Sequence, residues 1–301
     1  MTRAPAPFPL ERLADIPERP EDFRLLERIP LTREPQSWPL ELSPVVGDEQ
    51  PMVLLDTETT GLSADDESII ELGMVKVLYS PSAKRIVSIV DVISLYEDPG
   101  KPIPELITEL TGITDEMVQG QRIDDLLVAS WLSDDPLVVA HNAQFDRPFF
   151  EKRFAALGHL SWVCSASGID WKALGFESRK LEYLLLRLGW FYEGHRAATD
   201  CLAMAWLFHL LPESVANLLS EADRRTVLVR AFGAPFDVKD YLKERGYRWH
   251  DGVKGANKHW WREISEDELP QEQIYLDDLY HRGSEHAHYD YKDARNRFKA
   301  L

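Results

Sequence analysis

The sequence predicts an α/β protein, a mixed sheet with helices on its faces, followed by a small C-terminal α+β module. Three strand-like runs, at 52–56, 69–77 and 86–93, follow one another closely, which indicates a meander. Strand-like and helix-like segments then alternate to about residue 211, as they do where helices cover a sheet. A second series of strands, with a helix among them, begins at Val227 and predicts the separate module.

The pattern divides the chain into three segments. Residues 1–49 form a leader rich in proline and charge, residues 50–212 the main domain, and residues 213–301 a small βαββα accessory module. Within the leader, residues 21–28 have the composition of a short helix. The rest of the leader is expected to be extended against a neighbour or disordered, because proline removes backbone donors and charge opposes burial.

Each remaining element has its own signal in the sequence. Thr114 is a helix-capping residue type, and Gly158 is typical of a helix end. The helices expected in the main domain span residues 104–110, 114–118, 124–132, 144–157, 181–188 and 197–211, and a buried strand spans 137–140. In the module we expect strands at 227–232, 247–249 and 259–262, with helices at 238–245 and 267–280.

Composition excludes several classes of protein. The chain lacks an apolar run of about 18 residues, so no membrane span is expected, and its acidic N-terminus does not resemble a secretory signal. Cys164 and Cys201 do not form a Cys-x-x-Cys pair, which argues against a disulfide scaffold or a zinc site. A reducing cytoplasm is the expected compartment. The net charge of −17 argues against a protein that coats nucleic acid, but not against an enzyme with a local metal site.

Two acids follow the first apolar strand of the main domain. Asp56 and Glu58 are two residues apart, so their side chains share one face of that strand. A solvent-facing strand end before a loop is the ordinary interpretation. The alternative is a metal site, because like charges repel unless a hard divalent cation lies between them.

Two later segments place further acids beside element ends. Asp146 falls in the first turns of the helix after strand 137–140, where the helix dipole favours an acid. His195 and Asp200 open the helix at 197–211, which by itself is compatible with a solvated helix start. Together the three segments supply four carboxylates and one histidine. That set suits two-metal phosphodiester hydrolysis, with a histidine whose ordinary pKa lies near neutrality as the base.

These segments also resemble a known family. Asp56 to Gly61, His141 to Asp146, and His195 to Asp200 are similar, in this order, to the three motifs of the DEDD exonuclease superfamily in its histidine (DEDDh, DnaQ-like) branch. Members include the proofreading epsilon subunit of bacterial DNA polymerase III, ribonuclease T and the Trex enzymes. The tyrosine branch would place Tyr where Arg196 stands. The resemblance covers residues 50–212 and implies a ribonuclease H-like fold with a mixed five-stranded sheet.

The resemblance implies roles for ten residues. Asp56, Glu58 and Asp200 would bridge or hold two Mg²⁺ or Mn²⁺ ions. Asp146 would bind the second ion, and His195 would be the general base. The residues expected to contact the terminal nucleotide are Thr57, Thr59, Leu62, Thr111 and Phe145. Some members have His at the position of Thr111, and Phe145 is equally compatible with a core aromatic.

The expected activity is metal-dependent 3′→5′ exonucleolysis that releases nucleoside 5′-monophosphates from single-stranded DNA ends. RNA 3′ ends are an alternative substrate, because the motifs do not read the sugar. Another alternative is a proofreading or binding subunit of a polymerase, replication or repair assembly. Residues 162–171 depart from the family pattern beside the substrate groove, which leaves strand preference open.

The accessory module has an unusual concentration of bases and aromatics. Between Val227 and Arg262 there are eight Lys and Arg against four Asp and Glu, interleaved with Tyr247, Trp249, Trp260 and Trp261. Aromatics with cations can stack bases and follow phosphates. The alternative is that the aromatics build the core of a small module.

Overall fold

The computed structural model describes residues 9–32, 37–252 and 257–299. Contacts divide the chain into two compact units. Unit 1 contains the described residues through Glu221 together with Phe298 and Lys299, and unit 2 spans Ala222–Arg297. The described part of the leader therefore belongs to the same unit as the main domain.

A mixed sheet forms the centre of unit 1. In chain order the strands of this unit are β1 (Glu27–Arg28), β2 (Leu40–Glu41), β3 (Gln50–Thr59), β4 (Ile69–Ser80), β5 (Arg85–Tyr96), β6 (Leu137–Ala140), β7 (Trp162–Cys164) and β8 (Trp190–Phe191). Six of them form one sheet in the order β2-β5-β4-β3-β6-β7. Strands β2 to β5 pair antiparallel, whereas β6 and β7 continue the sheet in parallel to β3. The predicted mixed sheet is confirmed, with the two-residue β2 added at its edge.

Helices pack on the sheet of unit 1. They are α1 (Glu105–Thr111), α2 (Asp115–Val118), α3 (Asp125–Trp131), α4 (Ala143–Arg153), α5 (Leu181–Arg187), α6 (Ala197–Leu210) and α7 (Pro212–Asp223), the last of which runs into unit 2. Val53 and Leu55 of β3 lie in one core cluster with Phe149 and Phe150 of α4. Because side chains alternate along a strand, the residues between them face the opposite side, where α6 packs on β3, β4 and β5.

The leader is built into unit 1 by strand pairing. The helix predicted over 21–28 is wrong: β1 instead pairs in parallel with β8. The Glu27 and Ile29 amides donate to the carbonyls of Gly189 and Phe191 at 2.9 and 3.0 Å. Ile29 is fully buried. Pairing with a distant segment has overridden the local helical preference.

Unit 2 is a small α+β fold, as predicted. Its strands are β9 (Thr226–Ala231), β10 (Arg248–His250), β11 (His259–Ser265) and β12 (Ala287–Lys292), and its helices are α8 (Lys239–Glu244), α9 (Leu269–Leu279) and α10 (Gly283–His286). The strands form an antiparallel sheet in the order β10-β11-β9-β12. The predicted βαββα pattern did not include β12, because this edge strand contains polar residues and lacks a run of apolar ones.

The aromatics of unit 2 serve different purposes. Trp260 and Tyr247 are buried in a core with Val229 and Leu276. Trp249, by contrast, is 51% exposed. The core interpretation therefore accounts for only part of this aromatic cluster.

Across the described ranges, no single helix has the length and apolar character needed to cross a membrane. Helices α6 and α7 reach the required length and apolar composition only when they are taken together, and the chain bends by 107° between them.

Candidate active site

Strand β3 presents Asp56 and Glu58 on the sheet face that α6 covers. The register with β4 sets Asp56 opposite Gly73 and Glu58 opposite Glu71. The apolar run before Asp56 is completely buried, so the strand is fixed up to the point where the acids begin. The sequence pattern of apolar residues leading into two acids thus becomes a rigid strand that carries a pair of carboxylates.

Gly73 lets helix α6 approach these acids. A Cβ at this position would lie only 2.2 Å from the Ala197 carbonyl carbon, so no side chain fits between β4 and the start of α6. The first turns of α6, which contain Asp200, therefore lie directly against the strands that carry Asp56 and Glu58. A glycine in the middle of a strand often marks such a close approach.

Three carboxylates converge where these elements meet. Asp56, Glu58 and Asp200 each offer a carboxylate oxygen within 4.8 Å of the others. Their donor set consists only of oxygen, which is the preference of hard divalent cations such as Mg²⁺ and Mn²⁺. The residues present therefore fit a divalent metal ion.

Asp146 reaches the same region from α4. It is only 3% exposed, and its Oδ1 accepts hydrogen bonds from the Thr57 amide at 3.1 Å and the Thr57 hydroxyl at 2.8 Å. Thr57 lies between Asp56 and Glu58, so these bonds fix the second motif to the first. Asp146 therefore lies beside the strand that carries Asp56 and Glu58, and its charge adds to burial in raising the pKa of Asp56.

The pKa values of the acids reflect their crowding. Burial, followed by the charge of Asp146, raises the pKa of Asp56 well above its ordinary value. Burial, with the charges of Asp200 and Glu71, raises the pKa of Glu58 to about 8. Burial raises the pKa of Asp146 to about 7 against the opposing effect of the Thr57 hydrogen bonds. A bound cation would remove this penalty by stabilising the ionised forms.

His195 and Asp200 are set by the turn that begins α6. His195 is exposed and has a φ of 65°, a left-handed conformation that costs a non-glycine residue about 1–3 kcal/mol and is common at functional sites. Asp200 Oδ2 accepts the Arg196 amide at 3.1 Å, and its Oδ1 accepts the Tyr192 hydroxyl at 2.9 Å. Burial raises the pKa of Asp200, against the opposing effects of the Tyr192 and Arg196 hydrogen bonds and of the charge of His195. The histidine therefore acts electrostatically on the acid cluster.

Sequence reasoning missed Glu71, a buried acid beside the site. Its carboxylate accepts the Arg196 side chain at 3.1 Å, the Ala197 amide at 3.2 Å and the Ser94 hydroxyl at 2.6 Å. It is 1% exposed. The available signal was an acid inside the apolar run of the second strand. Tyr192 was also missed, and we find no sequence signal that identifies it.

Both ring nitrogens of His141, in the second motif, form hydrogen bonds within the protein. Its Nε2 donates to the Arg179 carbonyl at 2.7 Å, so the Nδ1 of the neutral ring accepts the Ser165 hydroxyl at 2.8 Å. Burial lowers the pKa of His141 to about 4. The ring is therefore neutral at pH 7 and connects the end of β6 to the segment that follows β7.

The residues predicted to contact a nucleotide differ in accessibility. Leu62 is 88% exposed. Phe145 is half-buried, with its ring centroid 5.0 Å from that of Phe149. Thr59 and Thr111 are buried, and their hydroxyls donate to the carbonyls of Gly61 and Ile107 at 2.6 and 2.9 Å. The predicted contacts of these residues remain predictions, and Leu62 presents the most accessible surface among them.

Fold and site together define a DEDDh, DnaQ-like 3′–5′ exonuclease domain with an acidic site for divalent metal. The exonuclease family model, RNase_T, matches residues 53–208, and the chain belongs to this family. The matched range contains all five residues of the acid and histidine set.

The relatives of this chain include much longer proteins. DNA polymerase III PolC-type from Bacillus subtilis (strain 168) is 34% identical over 170 residues, which cover 53% of this chain and 11% of that protein. The PolC-type polymerase of Thermotoga maritima is 31% identical over 191 residues, 57% of this chain and 13% of that protein. The chain thus spans about a tenth of the length of these curated relatives. A solved structure of Exonuclease X in complex with 5′ overhanging duplex DNA covers 55% of this chain and 91% of that chain, at 23% identity and a TM-score of 0.41.

Proposed function

We propose that this chain is a 3′→5′ exonuclease that hydrolyses single-stranded DNA from its 3′ end by a two-metal mechanism and releases nucleoside 5′-monophosphates. The observation that carries the proposal is the convergence of Asp56, Glu58 and Asp200 within 4.8 Å, with Asp146 held beside them. Buried acids that repel one another are costly, and a divalent cation between them relieves that cost.

The chain's own residues divide the work. Asp56, Glu58, Asp200 and Asp146 would hold two Mg²⁺ or Mn²⁺ ions, which when bound supply charge stabilisation for the attacking and leaving oxygens. A ring nitrogen of His195 would accept a proton from the attacking water. The imidazolium formed in this way lies in the field of Asp200, whose negative charge stabilises it. Leu62 would support the terminal nucleotide with its exposed side chain.

A preference for single strands follows from the need to place an end at this site. The terminal nucleotide of a duplex must first leave its partner, which costs a few kcal/mol by analogy with base extrusion. RNA 3′ ends are the alternative substrate, because none of the proposed contacts is assigned to the sugar 2′ position.

The test is degradation of 5′-labelled single-stranded DNA and RNA, with Mg²⁺, with Mn²⁺ and with excess chelator. We expect single-nucleotide ladders that begin at the 3′ end, no products in chelator, and no cleavage of closed circular single strands. His195→Ala is expected to lower kcat by about 10²–10⁴-fold, whereas the exposed His281 provides a matched control as His281→Ala. Full activity in chelator, or cleavage of the circle, would exclude the proposal.

A role in proofreading is favoured by one further observation. The relatives at 34% and 31% identity are DNA polymerase III proteins of the PolC type. A separate chain with this domain would have to associate with a polymerase to proofread. Recovery of a polymerase subunit with the tagged chain at native abundance would support this role, and a monodisperse chain without one would support a free enzyme.

A further inference from the structure

The outer face of the unit 2 sheet carries a row of cationic and aromatic side chains. The strand register pairs Arg248 with Trp261, Trp261 with Arg230, and Arg230 with His288, so the row crosses all four strands. Side chains alternate between the two faces of a strand. Since Val229, the neighbour of Arg230, lies in the core cluster, the row points away from that core.

Arg248 and Trp261 form a stacked pair in this row. The Arg248 guanidinium carbon lies 5.5 Å from the Trp261 ring centroid. Arg248 is exposed, and the His288 side chain is 68% exposed at the other end of the row. Arg230 pairs with Asp290, whereas within the described residues Arg248 has no carboxylate partner. Arg248 is therefore a cation of this face that is available to an external anion.

Further rings extend the face beyond this row. The His250 ring stacks on His259 with centroids 4.8 Å apart, and Phe232 lies 4.9 Å from His259. Among the outward positions of the four described strands, Leu228 is the single aliphatic side chain. The same row of the register also carries two carboxylates, Glu263 and Asp290, on either side of Leu228, and Asp290 is paired with Arg230. Around Arg248, Trp261 and the His250–His259 pair, the face is planar and cationic rather than aliphatic, which suits nucleobases and phosphates better than an apolar protein surface.

The charge balance of the chain favours the same ligand. Unit 2 contains fourteen Lys and Arg against fifteen Asp and Glu, a net charge of −1, so the remainder of the chain carries −16 of the total −17. A polyanion therefore meets far less repulsion at unit 2 than the total charge implies. Arg248, which has no carboxylate partner among the described residues, adds a local attraction, whereas Arg230 is offset by Asp290.

We propose that this face binds single-stranded nucleic acid, with bases stacked on Trp261 and Arg248 and phosphates held by the guanidinium of Arg248. Three strand intervals of about 4.8 Å give the row a span of about 14 Å, and the four-stranded sheet of an RNA-recognition motif stacks two or three bases. The proposal rests on the proposed function for the identity of the ligand. Binding at this face does not itself require catalysis.

The test is binding of the full chain to fluorescently labelled dT20 and dT4 in chelator, where hydrolysis is prevented. Trp261→Ala is expected to weaken dT20 binding by about 5- to 100-fold, as loss of one stacking platform does. Arg248→Ala should lower the slope of log Kd against log salt by about 0.7, the value for one phosphate contact on a single strand. Because Arg248 is exposed, this second variant tests the face without opening a cavity in the core of the module.

Matched controls separate this proposal from the catalytic one. Lys239 lies 3.7 Å over the Phe236 ring on a helical segment of the same unit, so Lys239→Ala removes a similar cation–ring pair outside the sheet. We expect Lys239→Ala to bind dT20 like the wild type.

Hydrolysis of dT4 in Mg²⁺ should be equal in all three variants, which shows that the catalytic site is intact. Wild-type dT20 affinity and salt slope in both Trp261→Ala and Arg248→Ala would overturn the proposal. If the wild-type chain does not hydrolyse dT4 in Mg²⁺, the proposed exonuclease function is contradicted, whereas binding of dT20 at this face is still tested by the variants. Equal weakening with dT20 and rU20 would assign the face to single strands of either sugar.

Discussion

Thr57 donates two hydrogen bonds to one oxygen of Asp146, from its amide at 3.1 Å and from its hydroxyl at 2.8 Å. This bond pair joins β3 to α4 across 89 residues of sequence. Thr57 is 5% exposed, so its hydroxyl supports an acid of the site. Residues that orient metal ligands in this way often matter nearly as much as the ligands.

Thr57→Val should therefore weaken metal binding. The variant keeps the side-chain shape and the amide bond but removes the hydroxyl, and with it one of the groups that favour the ionised form of Asp146. We expect the Mn²⁺ concentration for half-maximal activity to rise, or kcat to fall, by about 10–100-fold. Thr57→Ser retains the hydroxyl and is the control. Equal metal dependence of the two variants would contradict this assignment.

Gly73→Ala should displace the start of α6. The added Cβ would meet the Ala197 backbone at 2.2 Å, and backbone cannot give way as a flexible side chain does. Overpacking of this kind costs about 1–3 kcal/mol or more, and the shift moves Asp200 away from Asp56. Urea denaturation and kcat should both show the loss. Gly158→Ala, whose Cβ would have 3.4 Å to its nearest neighbour, should change neither substantially.

Glu71→Gln should lower kcat more than it raises KM. The variant keeps the volume of the side chain but removes the charge that holds Arg196 and receives the Ala197 amide. Removing one partner of a buried ion pair costs about 3–5 kcal/mol. The Arg196 side chain is 38% exposed, so water solvates its charge in part, and the expected loss of stability is below that range. Denaturation gives the stability loss, and steady-state kinetics on a short single strand give the kcat and KM effects. Glu213→Gln, at an exposed position of α7, is the matched control. A variant with normal kcat and lower stability would restrict Glu71 to a structural role.

The sequence was sufficient for those parts of the site that depend on local pattern. An apolar strand that runs into Asp56 and Glu58 predicted two carboxylates on one face, and the structure brings these two together with Asp200. The role of Glu71 was not predictable in this way, because its partner Arg196 lies 125 residues away. Its position opposite Glu58 depends on the register of β3 with β4, which no single segment encodes.

The same reason explains the errors in the fold. Residues 21–28 have helical composition, yet Glu27 and Arg28 pair with Trp190 and Phe191, more than 160 residues later. Strand β12 alternates polar and aromatic residues. It lies at an edge of the sheet, where water hydrates the backbone groups on one side, so its sequence shows only weak hydrophobic periodicity. Pairing between distant segments decided both cases.

Loss of the leader contact should reduce both stability and activity. Ile29 is fully buried, so Ile29→Ala is expected to destabilise unit 1 by about 2–5 kcal/mol. The segment that Ile29 holds, β8, ends four residues before His195, so kcat should fall as well. Thermal denaturation and kinetics measure the two effects. Leu25→Ala, at a position that is 79% exposed, should leave both unchanged. Equal behaviour of the two variants would show that the leader does not support the site.

In chelator, the stability of the protein should fall as the pH rises from about 5 to 8. Burial and neighbouring charges raise the pKa of Asp146 to about 7 and that of Glu58 to about 8. The folded state therefore binds more protons than the unfolded state over this range, and it loses that advantage as these groups ionise. Divalent metal should reverse the trend, because its affinity grows as the acids lose their protons. Glu58→Gln should flatten the slope of melting temperature against pH in chelator, and the exposed Asp134, as Asp134→Asn, should leave it unchanged. A melting temperature that rises from pH 5 to 8 in chelator would mean that the acids are ionised and stabilised without metal, contrary to the geometry of the cluster.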